Sequence, residues 1–100
     1  MEGHAVISHE VLASYAADAA RQVGGVHELV GGPRRHRGVR VADEDGATSV
    51  ELQLAVEWGA VAPDVAAEVQ RRVSEYLRRT ARLPSVTVDV VVVGVAATED

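Results

Sequence analysis

The 100-residue chain contains no cysteine, no lysine and no phenylalanine, and its only aromatic residues are Tyr15, Trp58 and Tyr76. Without cysteine there is no disulfide framework, no thiol nucleophile and no thiolate zinc site. No apolar run approaches the ~18 residues that carry a helix across a bilayer. Met1-Glu2-Gly3-His4 has no basic region leading into an apolar one, so no secretory signal is expected there and a cytoplasmic location is. With lysine absent, every basic group is an arginine, and 15 acidic against 10 basic residues leave a net charge of −5.

What is present is small and aliphatic. Hydrophobic residues make up 47% of the chain, and 20 valines and 16 alanines supply most of them. That fraction, with so modest a charge, excludes a disordered chain. The length suits one small domain. It is expected over residues 5–95, with a disordered N-terminus at 1–4 and an acidic flexible tail at 96–100.

Hydrophobic periodicity predicts a helix over 9–23, because Val11, Leu12, Tyr15, Ala16, Ala19 and Val23 share roughly a 140° arc. Ser8 is placed to cap it, Glu10 suits its first turn, and Gly24-Gly25 ends it. Ala5-Val6-Ile7 before it has room for a short strand. Val26 to Val30 reads as a brief extended segment, followed by a loop through Gly31-Gly32-Pro33 and Arg34-Arg35-His36-Arg37-Gly38. Val39 to Ala42 alternates, and Asp43-Glu44-Asp45-Gly46 has the composition of a hairpin turn. Past it Val50, Leu52, Leu54, Val56 and Trp58 point one way and Glu51, Gln53, Ala55 and Glu57 the other, the mark of a half-buried strand. A second helix runs from Pro63 to about Arg82, with Val65, Val69, Val73, Tyr76 and Leu77 on one stripe. Glu68–Arg72 and Glu75–Arg79 stand at i,i+4 as ion pairs. Val86 to Val95 forms the last strand. The expected fold is α/β in the α+β sense. It is a two-layer sandwich of two amphipathic helices on one face of a small mixed sheet of three to four strands.

Local patterns coincide with this order. The stretch Ile7-Ser8-His9-Glu10-Val11-Leu12 to Ala19-Ala20-Arg21-Gln22-Val23-Gly24-Gly25-Val26 resembles the opening of the alkaline-shock or general-stress protein family of bacteria, proteins of the envelope stress response. Gly38-Val39-Arg40-Val41 is similar to a further part of that pattern. So are Val50 through Glu57-Trp58-Gly59 into Ala62-Pro63-Asp64-Val65-Ala66, and Glu68-Val69-Gln70-Arg71-Arg72-Val73. Val86-Thr87-Val88-Asp89-Val90 to Gly94-Val95 resembles its closing strand. The resemblance spans Ala5 to Val95 and implies a non-enzymatic protein of the cytoplasm, without cofactor or small-molecule substrate. It also implies association with the membrane through an integral-membrane anchor protein, while the valine run of the last strand leads us to expect self-association as a homo-oligomer.

The candidate sites are contacts, not catalytic centres. Arg34, Arg35, Arg37 and Arg40 form the strongest local charge feature and could meet phosphates of lipid headgroups or nucleic acid. The bland reading is a solvated loop offset by Asp43-Glu44-Asp45. A small nucleic-acid-binding module using Arg34 to Arg40 is the alternative function. The acidic balance, the lack of aromatics among the arginines and the absence of a GXXG loop all weigh against it. His4, His9, His27 and His36 have no spacing that a metal site demands. Ser8-His9-Glu10 are merely consecutive, whereas a triad is a spatial arrangement. In the last strand Val86, Val88, Val90 and Val92 should face the helices. Val91 and Val93, with Ala55 of the neighbouring strand, then lie on the opposite face as candidates for self-association or partner contact.

Overall fold

The computed structural model describes residues 8–31, 38–44, 46–83 and 85–97. The expected strand at Ala5 to Ile7, the N-terminus at 1–4 and the end of the tail at 98–100 lie outside the described residues.

Helix α1 spans His9–Arg21 and starts as its sequence implies, with the Ser8 hydroxyl accepting a hydrogen bond from the Val11 N–H at 3.1 Å. Its buried face differs from the expected one. Leu12, Ala13, Ala16, Ala17 and Ala20 are buried, while Val11 is exposed. The helix is turned so that its alanines enter the core, since side chains of one carbon let a helix lie close to its neighbours. Tyr15 then packs edge-on against Tyr76 of α2, with ring centroids 5.9 Å apart.

Strand β1 covers Val26–Leu29, β2 covers Val39–Glu44 and β3 covers Ala47–Val56. Helix α2 runs over Ala62–Thr80 with Pro63 in its first turn, and strand β4 over Val86–Val95. The stripe Val65, Val69, Val73 and Leu77 is buried as expected. Of the two expected ion pairs, Glu68–Arg72 forms at 2.8 Å. The pair Glu75–Arg79 does not: Glu75 lies 3.2 Å from Arg71 instead, because Arg71 sits one turn back on the same flank.

The sheet is mixed. β3 is its centre, parallel to β4 along one side and antiparallel to both β2 and β1 along the other. β2 pairs with residues 47–52 of β3 and β1 with residues 54–56, so the two lie end to end on a single edge. They meet at Gln53, whose carbonyl accepts from the Val30 N–H at 2.9 Å and whose N–H donates to the Gly38 carbonyl at 2.8 Å. The Gly38 N–H also donates to the Gly31 carbonyl. Gly31 and Gly38, the described residues on either side of 32–37, therefore meet at one point of the sheet. Only glycine fits at that point. Gly38 has φ +77°, and a Cβ there would stand 2.7 Å from the Gln53 carbonyl oxygen.

One expectation fails at the end of β3. Alternation placed Trp58 with the buried valines and leucines, but the strand stops at Val56 and Trp58 is 69% exposed in the turn that follows. The cause is the turn itself. The Glu57 N–H donates to the Gly25 carbonyl at 2.8 Å and the Ala60 N–H to the Glu57 carbonyl at 3.0 Å, which rotates residue 58 out of the pleat. The core lies between the helices and one face of the sheet, with Val50, Leu52, Leu54, Val56, Val69, Val73 and Leu77 at its centre.

Candidate functional site

Because strand side chains alternate, the face of the sheet away from the helices is built from the odd positions of β3 and their neighbours in register. Its first row is Ala42, Ser49 and Thr87, and its second Arg40, Glu51 and Asp89. Gln53 beside Val91 makes the third, and Glu28, Ala55 and Gly94 the fourth. The face thus divides in two. At the β2–β3 hairpin end it is polar, with the Arg40 guanidinium in register with Glu51, and Glu51 in turn with Asp89. Toward the other end the exposed apolar groups are Val91, 40% exposed, and Val93, 48%, beside Gln53 and Glu28. Val93 is the extra residue at the irregularity that shifts the β3–β4 register, so it is unpaired and stands out from the ladder. Ala55 lies on this side too, but at 8% exposed it forms the floor between its neighbours. Val86 and Val88 are buried toward the helices, and Val90 and Val92 pack partly against the same core.

The outer edge of β4 pairs with no other strand among the described residues. Part of it is covered: the Gln70 side-chain amide of α2 donates to the Val88 carbonyl at 2.7 Å. Past Asp89 the edge bears only valines and a glycine.

Arg34, Arg35 and Arg37 lie outside the described residues. Arg40 is described, exposed and on the helix-free face, so it belongs to that surface. The histidines are not gathered. His9 Nε2 lies 2.8 Å from Asp43 Oδ2, and the Thr48 hydroxyl donates to Asp43 Oδ1 at 3.0 Å. These bonds hold the Asp43 carboxyl below its ordinary range. The carboxylate stands in the middle of that trio, with the hydroxyl on it and not on the imidazole, so no nucleophile faces a base. His27 Nδ1 is 3.4 Å from Glu57 Oε2 near the other end of the sheet. His4 and His36 lie outside the described residues. Among the described residues no three His, Cys, Asp or Glu side chains converge as a metal site would need, and no helix is long and apolar enough to cross a membrane.

Alternation along β3 runs on through Glu57 and so hid one surface residue of interest, Trp58. The signal that marks it is Gly59 directly after it, whose φ of +89° belongs to a turn.

A model of the alkaline-shock protein family, described as having a cell envelope-related function, matches residues 1–97. No curated protein matches the sequence. Among solved structures, the fold is similar to that of the CTD of MamM. A 215–293 fragment of it is 17% identical, with 83% of this chain and 96% of that chain covered and a TM-score of 0.54. Its manganese form is likewise 17% identical, with 83% and 96% covered and a TM-score of 0.53. Its copper form is 16% identical, with 85% and 98% covered and a TM-score of 0.55. At such identities the likeness is one of fold.

Proposed function

Since the chain belongs to the alkaline-shock protein family, whose function is cell envelope-related, we propose that it is a non-enzymatic interaction module of the envelope stress response. It works in the cytoplasm, at the inner face of the membrane. There it self-associates and docks to an integral-membrane anchor protein, and it requires no cofactor. The observation that carries this reading is the asymmetry of the sheet. One face is sealed by two helices, whereas among the described residues no element covers the other, which ends in the exposed pair Val91 and Val93. Each of these valines is already about half covered, so sealing the rest is worth roughly 1 kcal/mol, and a symmetric contact counts every one twice. The row of Arg40, Glu51 and Asp89 adds polar groups of both signs, which can set the register of such a contact.

Two measurements test the reading. In sedimentation velocity the wild type should form species larger than a monomer, and Val91→Lys with Val93→Lys should leave a folded monomer. Unchanged assembly of a folded double variant would contradict the use of this face. Native envelope membranes should retain the protein, whereas vesicles of the extracted lipids alone should not. Equal retention by both would replace the anchor protein with the lipid itself.

A further inference from the structure

β3 and β4 are parallel, so both deliver their carboxyl ends to one end of the sheet, where the turn at 57–61 leads into α2. That end holds the chain's single tryptophan. Trp58 is exposed there, as are Val61 and Val95. The topology keeps them together. Val95 is in register with Val56, the Ala96 N–H donates to the Val56 carbonyl at 2.8 Å, and Trp58 lies two residues beyond Val56. The turn is anchored by the hydrogen bonds of Glu57 and Ala60 described above, and by the Val65 N–H donating to the Val61 carbonyl at 3.0 Å. Neither the core nor the turn requires an indole at residue 58, and a cluster of exposed apolar groups on a rigid turn is a mark of recognition.

Charge around the cluster has one sign left over. Glu28, Glu57 and Asp64 are exposed at this end. The arginine at this end, Arg21, is engaged 3.5 Å from Asp18, and the His27 ring lies 3.4 Å from Glu57. Arg78, Arg79 and Arg82 follow at the far end of α2, and no carboxylate among the described residues pairs with them. An anionic lipid surface would be repelled by the rim of Trp58, and a basic segment drawn to it.

We propose that the Trp58 end of the domain is the docking site for a basic peptide segment with apolar anchors. Such stretches, rich in arginine and lysine, flank the membrane-spanning helices of integral membrane proteins on the cytoplasmic side. Trp58 is the central anchor, Val61 and Val95 extend the apolar floor, and Glu57 and Asp64 meet the positive charges. This rests on the reading above that the chain docks to a membrane-anchored protein, and it assigns that contact a place and a chemistry.

As the chain's only tryptophan, Trp58 reports on its own site. The probe is a labelled peptide of alternating leucine and arginine, beside a second peptide with glutamate for each arginine. The basic peptide should shift Trp58 emission to the blue and bind by anisotropy, more weakly as salt rises, and the acidic one should do neither. Trp58→Ala should weaken binding about tenfold or more, and Asp64→Asn up to roughly fivefold. Asp89→Asn, on the helix-free face, should leave it unchanged. Equal losses from Asp64→Asn and Asp89→Asn would reduce the effect to net charge and overturn the proposal. A blue shift on phosphatidylglycerol vesicles with none on the peptide would overturn it as well. No peptide binding, with native membranes still retaining the protein, would sink this site and leave the wider reading standing. Failure of those membranes to retain it would sink the wider reading itself.

Discussion

Glu68 accepts from two arginines at once, Arg71 at 2.7 Å and Arg72 at 2.8 Å, and these bonds hold its carboxyl down from an ordinary 4.5 to about 2. A carboxyl whose pKa is depressed by folding stabilises the native state above its unfolded pKa. That contribution is lost as pH falls through the folded value. The window for Glu68 is therefore about 4.5 down to about 2. Across it, the urea midpoint of the wild type should fall more steeply than that of Glu68→Gln. Parallel curves would show that the two bonds contribute nothing to stability in solution. Gly38 offers a steric counterpart. Gly38→Ala combines a left-handed backbone with a Cβ set against the Gln53 carbonyl, and should cost about 1–3 kcal/mol from strain, with more from the overlap. Gly24→Ala, with nothing within 4 Å and no positive φ, should be near neutral in the same denaturation measurement. The pinch at Gly31 and Gly38 was not legible in the sequence. A glycine announces a turn, but not that two turns seven residues apart close on each other.

At the scale of elements the sequence is a good guide where burial alone decides. β4 has the expected bounds, α2 the expected stripe, and Ser8 caps α1 as its position implied. Leu77→Ala should cost about 2–5 kcal/mol, since Leu77 is fully buried between the two layers. Val11→Ala should cost almost nothing, because Val11 is exposed and alanine suits a helix better. Similar losses for the two would contradict the orientation given to α1. That orientation escaped the sequence for a physical reason. Periodicity weights large side chains, while the buried face also takes in small ones, Ala13, Ala17 and Ala20. Trp58 escaped for another. Strand alternation continued through Glu57, and the Glu57–Gly25 hydrogen bond that ends the strand joins residues far apart in sequence.

In the whole molecule the same tertiary pairings decide what is exposed. The chain order shows two helices and several strands, but not that β1 and β2 share one edge of β3, nor that β4 runs parallel to it. From those pairings follow the uncovered sheet face and the apolar end at Trp58. The outward placement of Val91 and Val93 was legible because alternation from Val86 turns Val86, Val88, Val90 and Val92 toward the helices and leaves these two on the other face. Ala55 was placed on the correct side, yet its burial depends on neighbours that only the register supplies.

The account turns on that face being a contact between copies, and methyl NMR across a dilution series tests it without a substitution. As concentration rises, the Val91 and Val93 methyl signals should shift and broaden while those of Val69 and Val73, sealed in the core, stay fixed. Val91 and Val93 signals that stay fixed while the protein assembles would contradict it.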